Sequence, residues 1–184
     1  LGVEIVGYHP QSIEETIVTI EKIAKVIGVE EKGQQLVQQM EKELAVIKSK
    51  VAHKLEDKKR PTVFYEVWGQ PLRTVGDNTF INDLIVTAGG KNIAASAQGS
   101  WPQYNLEKLL RENPDVYLAT TGSWKEELKV KKIKSRSNYK QLKAIKNNKV
   151  FVFNSDLINR PGPRIIKALK LFVKAIHPQI RLVD

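Results

Sequence analysis

The chain has 184 residues, 41% of them hydrophobic and 27% charged, enough for one globular domain with a real core or a domain with an appendage. It holds no cysteine, which excludes disulfides, thiol chemistry and thiolate metal sites, and no run approaches the roughly 18 apolar residues of a membrane span. Its net charge of +10 directs attention to anionic partners. No signal peptide is recognisable, and the first residue is not methionine, so we expect a preceding segment to have been removed.

The opening Val3–Tyr8 reads as a short buried strand, with no obvious neighbour to join. Ser12 followed by Glu15 forms a capping box for a helix whose apolar stripe is Ile13, Ile17, Ile20, Ala24 and Ile27, and Gly28 closes it. A second, longer helix is expected from about Glu30 to Lys54, carrying Leu36, Met40, Leu44, Ile47 and Val51 on one face. It lies across a domain or bridges two, and His53–Pro61 is the clearest boundary in the chain.

After Pro61 strands and helices alternate. Strands are expected at Thr62–Trp68, Asp115–Thr120 and Lys149–Asn154. Helices are expected at Phe80–Ala88, Leu106 onward, Tyr139–Asn147 and Arg164–His177. Asp77, Asn78 and Thr79 are all possible caps for the first of these helices, and Asn105 caps the second. This alternation predicts a mainly parallel sheet covered on both faces, with ligands beyond the carboxyl ends of its strands. The loops holding Trp68 and Asp156–Arg160 are therefore the places to look.

Catalytic signatures are missing from the sequence. His9, His53 and His177 are scattered, and no HExxH, GxSxG, P-loop or GxGxxG pattern occurs, so neither a metal site nor an enzyme is the first expectation. Between Ser123 and Lys149 ten Lys/Arg stand against Glu126 and Glu127, with Trp124 and Tyr139 among them. The ordinary reading is a solvated Lys-rich face; the alternative is a nucleic-acid or anionic-surface binder. Three sets of loop residues remain: Tyr65, Glu66 and Trp68; Trp101, Gln103 and Tyr104; and Asp156 with Arg160. Aromatic walls with a few polar groups suit a pocket for a large, partly apolar molecule. Each residue taken alone is ordinary core or loop material, and Asp156 and Arg160 are equally suited to pairing with each other.

Several ordered segments together carry a resemblance: FYEVWGQPLRTVG, FINDLIVTAGGKNI, GSWPQYNLEKLLRENPDVYLAT and NNKVFVFNSDLINRPGPRI. From Pro61 to His177 they resemble the C-terminal lobe of the class III periplasmic binding proteins, which deliver vitamin B12, ferric siderophores and haem to ABC importers. The resemblance implies an α/β lobe with a mainly parallel sheet flanked by helices and preceded by a long linking helix. It further implies residues 1–29 as the remnant of an N-terminal lobe, 30–60 as linking helix and linker, and 61–184 as the ligand-binding lobe. On that reading the chain is part of a two-lobed clamp and binds ligand poorly by itself.

The vitamin B12-binding members are the nearest pattern. The resemblance makes Trp101, before Pro102-Gln103, a wall of the corrin pocket, with Trp68 a second wall. It makes Asp156 and Arg160 polar contacts and Glu107 a docking carboxylate for the membrane permease; Glu66, at the end of the first strand, is a further ligand-binding candidate. Arg73 stands where those members carry an aromatic, and with Arg160 it equally suits an anionic iron chelate or haem. The implied location is extracytoplasmic, periplasmic or lipid-anchored, with no cofactor and no nucleic-acid partner.

Overall fold

A computed structural model describes residues 2, 5–56, 58–121 and 130–182. Of the strand expected at Val3–Tyr8, the described residues 5–8 carry no regular structure, and Ile5 is 90% exposed. A strand needs neighbours for its backbone groups, and among the described residues no strand pairs with this segment. The helix that follows, α1 (Ile13–Val26), forms as its capping box directs. Ser12 Oγ accepts from Glu15 N at 3.0 Å, while the Glu15 carboxylate receives the Gln11 amide at 2.7 Å. Gly28, at φ +71°, closes it with the paired terminal bonds Gly28 N to Lys25 O and Val29 N to Ala24 O.

The long helix α2 (Glu30–Leu55) buries Met40, Leu44, Ile47 and Val51. At about 1.5 Å per residue it is roughly 39 Å long. It lies against α1 and against the last helix, α8 (Ile165–Ile176). Gly33 permits the close approach of α1: a Cβ there would stand 2.3 Å from the Ala24 Cβ.

The sheet consists of β1 (Thr62–Glu66), β4 (Lys91–Asn92), β5 (Val116–Thr120) and β6 (Val150–Phe153), in the order β4-β1-β5-β6 and parallel throughout. Strand alternation sorts its side chains into two buried layers. Val63, Tyr65, Val116 and Leu118 face α1, α2, α3 (Phe80–Thr87) and α8. Phe64, Tyr117 and Ala119 face Tyr104 and Leu109, Ile133 and Tyr139 on the other side.

Boundaries differ from the sequence reading in four places. Residues after Glu66 leave the sheet, so that β2 (Trp68–Gly69) and β3 (Leu72–Arg73) make a small antiparallel hairpin with a cis Gln70–Pro71 bond. The stretch after Gly90, where the sequence reading has no strand, begins with the edge strand β4, too short for a hydrophobic pattern to show. The single helix expected from Tyr139 is a 3-10 turn (Tyr139–Gln141) followed by α6 (Lys143–Lys146), because extended Leu142 interrupts it. The loop after β6 contains the one-turn helix α7 (Ser155–Ile158), capped by Asn154. The remaining helices are α4 (Leu106–Glu112), capped by Asn105, and α5 (Val130–Lys134). Among the possible caps of α3, Thr79 is the one used, its hydroxyl accepting from Asn82 N at 3.0 Å.

Candidate functional site

From β1 the chain passes through α3 to the outer strand β4; from β5 it passes through α5 and α6, on the opposite face, to β6. Neighbouring strands whose connections leave to opposite faces open a crevice at their carboxyl ends. Here that point lies between β1 and β5, and the segments around it follow Glu66, Asn92, Thr120 and Phe153.

The β2–β3 hairpin and the loop before α4 form one side. Trp68 is directly opposite Arg73 across the hairpin, and Arg73 forms an antiparallel bridge with Gln103. The Arg73 guanidinium also donates to the Trp101 carbonyl at 3.1 Å. Thr74 N donates to Pro102 O and Tyr104 N to Leu72 O, tying the two segments further. The fold thus brings together Trp68, Arg73 and the Trp101 backbone from separate segments. The two indoles are 56% and 45% exposed, whereas neighbouring Tyr104 is buried in the core. Large aromatics left open beside buried ones are available for contact with something outside the chain.

The loop after β6 carries Asp156 and Arg160, which pair with each other at 3.1 Å while both remain largely exposed. Between them Asn159 accepts a hydrogen bond from the Tyr65 hydroxyl at 3.2 Å, which anchors this loop to the end of β1. Arg164 reaches back to the Asp156 carbonyl at 3.2 Å. The loop is thereby fixed at both ends, leaving its charged pair in solvent.

Glu66 is placed differently from the other candidates. It is buried on the same side of β1 as Phe64, as strand alternation requires. Arg136 donates to both of its oxygens, at 2.5 and 2.8 Å, and the Tyr117 hydroxyl donates to one of them. Burial, reinforced by the nearby carboxylate, pushes the Tyr117 phenol well above its usual range, so it remains a donor. The Arg136 guanidinium also lies over the Tyr139 ring at 5.3 Å. Sequence reasoning missed Arg136, one cation among ten in its stretch; the parity of Glu66 was the signal that this carboxylate needed a buried partner.

Glu107 stands exposed in the first turn of α4, one turn beyond Trp101 and its proline. The basic stretch is partly absorbed by the fold: Arg136 turns to Glu66, Lys143 to Asp115, and Lys134 to the Asn148 side chain. Trp124 lies outside the described residues. His177 is buried against the Gly89 carbonyl, whereas His9 and His53 are exposed; among the described residues no group of His, Asp and Glu is arranged to hold a metal. No helix among them is long and apolar enough to cross a membrane.

Comparison with known proteins agrees with this architecture. A substrate-binding lipoprotein of an ABC transporter from Bacillus subtilis, YvrC, is 32% identical over 91% of this chain and 52% of its own length. A vitamin B12-binding protein of Salmonella choleraesuis is 31% identical over 96% of this chain and 61% of its own. The chain therefore spans between about half and three fifths of these curated relatives. Among solved structures, a possible iron-binding periplasmic solute-binding protein from Staphylococcus epidermidis superposes with a TM-score of 0.80 at 30% identity, covering 96% of this chain and 67% of that one. The family model described as periplasmic binding protein matches residues 1–157, and with the parallel sheet and its carboxyl-edge crevice this establishes that the chain belongs to the periplasmic binding protein family.

Proposed function

We propose that the chain supplies a ligand-binding lobe of an extracytoplasmic receptor for an ABC importer, capturing a corrinoid without chemical change and presenting it to the membrane permease. The observation that carries this reading is the convergence of exposed Trp68, Arg73 and Trp101 at the carboxyl edge of the sheet. Indole faces suit the apolar plane of a macrocycle, and Asp156 with Arg160 offers an acceptor and donors for peripheral amides. Their mutual ion pair is exposed, so exchanging it for ligand contacts costs little. Glu107 is assigned to charge-assisted pairing with cations of the permease. The similarity to vitamin B12-binding proteins supports the corrinoid.

A second reading, an iron chelate or haem as ligand, is favoured specifically by Arg73. Arg73 is exposed, opposite Trp68 in the hairpin and bonded to the Trp101 carbonyl, where an anionic chelate or a propionate would meet it. Visible-absorption titration of the whole two-lobed protein with cyanocobalamin, hemin and a ferric hydroxamate decides between them. Saturable one-to-one binding of cyanocobalamin is expected; saturation by hemin or the ferric chelate alone replaces the corrinoid with the second reading.

A further inference from the structure

We propose that Glu66 and Arg136 form the positioning element of the cleft: their buried ion pair seats the β2–β3 hairpin through Gly69 and so fixes where Trp68 and Arg73 stand. Glu66 is the last residue of β1, and the chain turns out of the sheet directly after it. One contact closes the hairpin and two then hold it over that strand end. Val67 N donates to Arg73 O at 2.9 Å, the Thr74 hydroxyl donates to Tyr65 O at 2.7 Å, and Gly69 packs against the ion pair itself.

The last contact is the closest. A Cβ at position 69 would lie 2.6 Å from Arg136 Nη2 and 2.9 Å from Glu66 Oε1. The hairpin backbone therefore sits on the guanidinium–carboxylate plane with no room between. Arg136, itself partly open to solvent, is held there by two parallel bonds to Glu66 and by the Tyr139 ring. A bidentate fork fixes orientation as well as distance, which a lysine ammonium does not. The carboxylate oxygens of Glu66 are taken up by Arg136 and Tyr117, so its part is to hold Arg136 rather than to meet a ligand.

Amide and indole hydrogen exchange, read by NMR on the 184-residue chain, tests the seating directly. In Arg136→Lys and in Gly69→Ala we expect exchange of the Val67 and Tyr104 amides and of the Trp68 indole, which donates to Gln70 O, to rise by at least about tenfold. The Ile93 amide, bonded to Val63 on the far side of β1, serves as internal reference and keeps its rate. Combining Gly69→Ala with Arg136→Lys should add less than the sum of the two, because both act on one contact. Unchanged hairpin exchange in folded Arg136→Lys, or an equal rise at Ile93, overturns the proposal.

Its consequence for ligand rests on the reading in the previous subsection, and cyanocobalamin titration keeps the two apart. Arg136→Lys is expected to weaken cyanocobalamin about tenfold. Wild-type affinity in a variant whose hairpin has loosened overturns the positioning role. These titrations use the whole two-lobed protein, because the chain alone is expected to bind poorly. Failure of that wild-type protein to bind cyanocobalamin removes the corrinoid instead, and the exchange data still decide the seating.

Discussion

At the scale of single residues, exposure separates Trp101 as a ligand wall from Trp101 as a core plug. Truncating a buried tryptophan costs about 3–5 kcal/mol, whereas an exposed one costs within about 0.5 kcal/mol. With the Trp101 ring half open, Trp101→Ala should leave the denaturation midpoint almost unmoved while weakening ligand binding. Paired denaturant melts and ligand titrations check this, and a large loss of stability with intact affinity would return Trp101 to the core. His177 gives a pH prediction of definite sign. Burial, with Lys54, Lys149 and Arg60 nearby adding repulsion against its opposing bond to Gly89 O, holds its imidazole below the ordinary value of 6.5. The unfolded chain therefore takes up the proton more readily. Stability is fully present above pH 6.5 and declines as pH falls through the folded value. His177→Gln should flatten that part of the stability–pH curve, measured by urea melts at intervals from pH 7.5 to about 5.

At the scale of elements, most of what the sequence displayed was local. Ser12 and Glu15, Asn105, and the Gly after α1 each carry their own signal, and each does in the structure what its position requires. Long apolar stripes marked α1, α2 and α8 for the same reason. The elements that escaped are too short to carry a pattern or are placed by contacts distant in sequence. The two-residue strands β2, β3 and β4 have no pattern of their own; Arg73 reaches Gln103 and Trp101, about 30 residues away, only once the sheet has formed. Arg136 is 70 residues from Glu66; it is the only arginine between Ser123 and Lys149, but residue type alone does not say which carboxylate it meets. The contact between α1 and α2 was likewise invisible, although it makes a firm prediction. Gly33→Ala drives a Cβ to 2.3 Å from that of Ala24, so the intrinsic helix preference for alanine is overridden. We expect a net loss of about 1–3 kcal/mol, by overpacking. Ala24→Gly in the same chain should recover part of it, and calorimetric or denaturant melts of the single and double variants measure the coupling.

At the scale of the whole molecule, the segment from Trp101 to Glu107 carries two exposed features with different partners proposed for them. Between them lie Tyr104, buried against Phe64 with ring centroids 5.3 Å apart, and Asn105, whose side chain accepts from Lys108 N at 3.0 Å. Trp101, proposed as a ligand wall, and Glu107, proposed as a docking carboxylate, are thus borne on one anchored piece of chain and both exposed. Among the described residues Glu107 has no ion-pair partner, so its removal should leave both the melting temperature and ligand affinity close to wild-type values. What it should change is delivery. A charge-assisted bond to a permease cation contributes about 1.5–3 kcal/mol, enough to lower productive docking by about tenfold or more. Uptake of labelled ligand by cells that depend on this receptor, expressed within its whole protein, therefore separates the two roles. Glu107→Ala should transport slowly with normal binding, and Trp101→Ala should bind weakly and recover transport at raised ligand concentration. Normal uptake by Glu107→Ala would move the docking surface to another part of the protein.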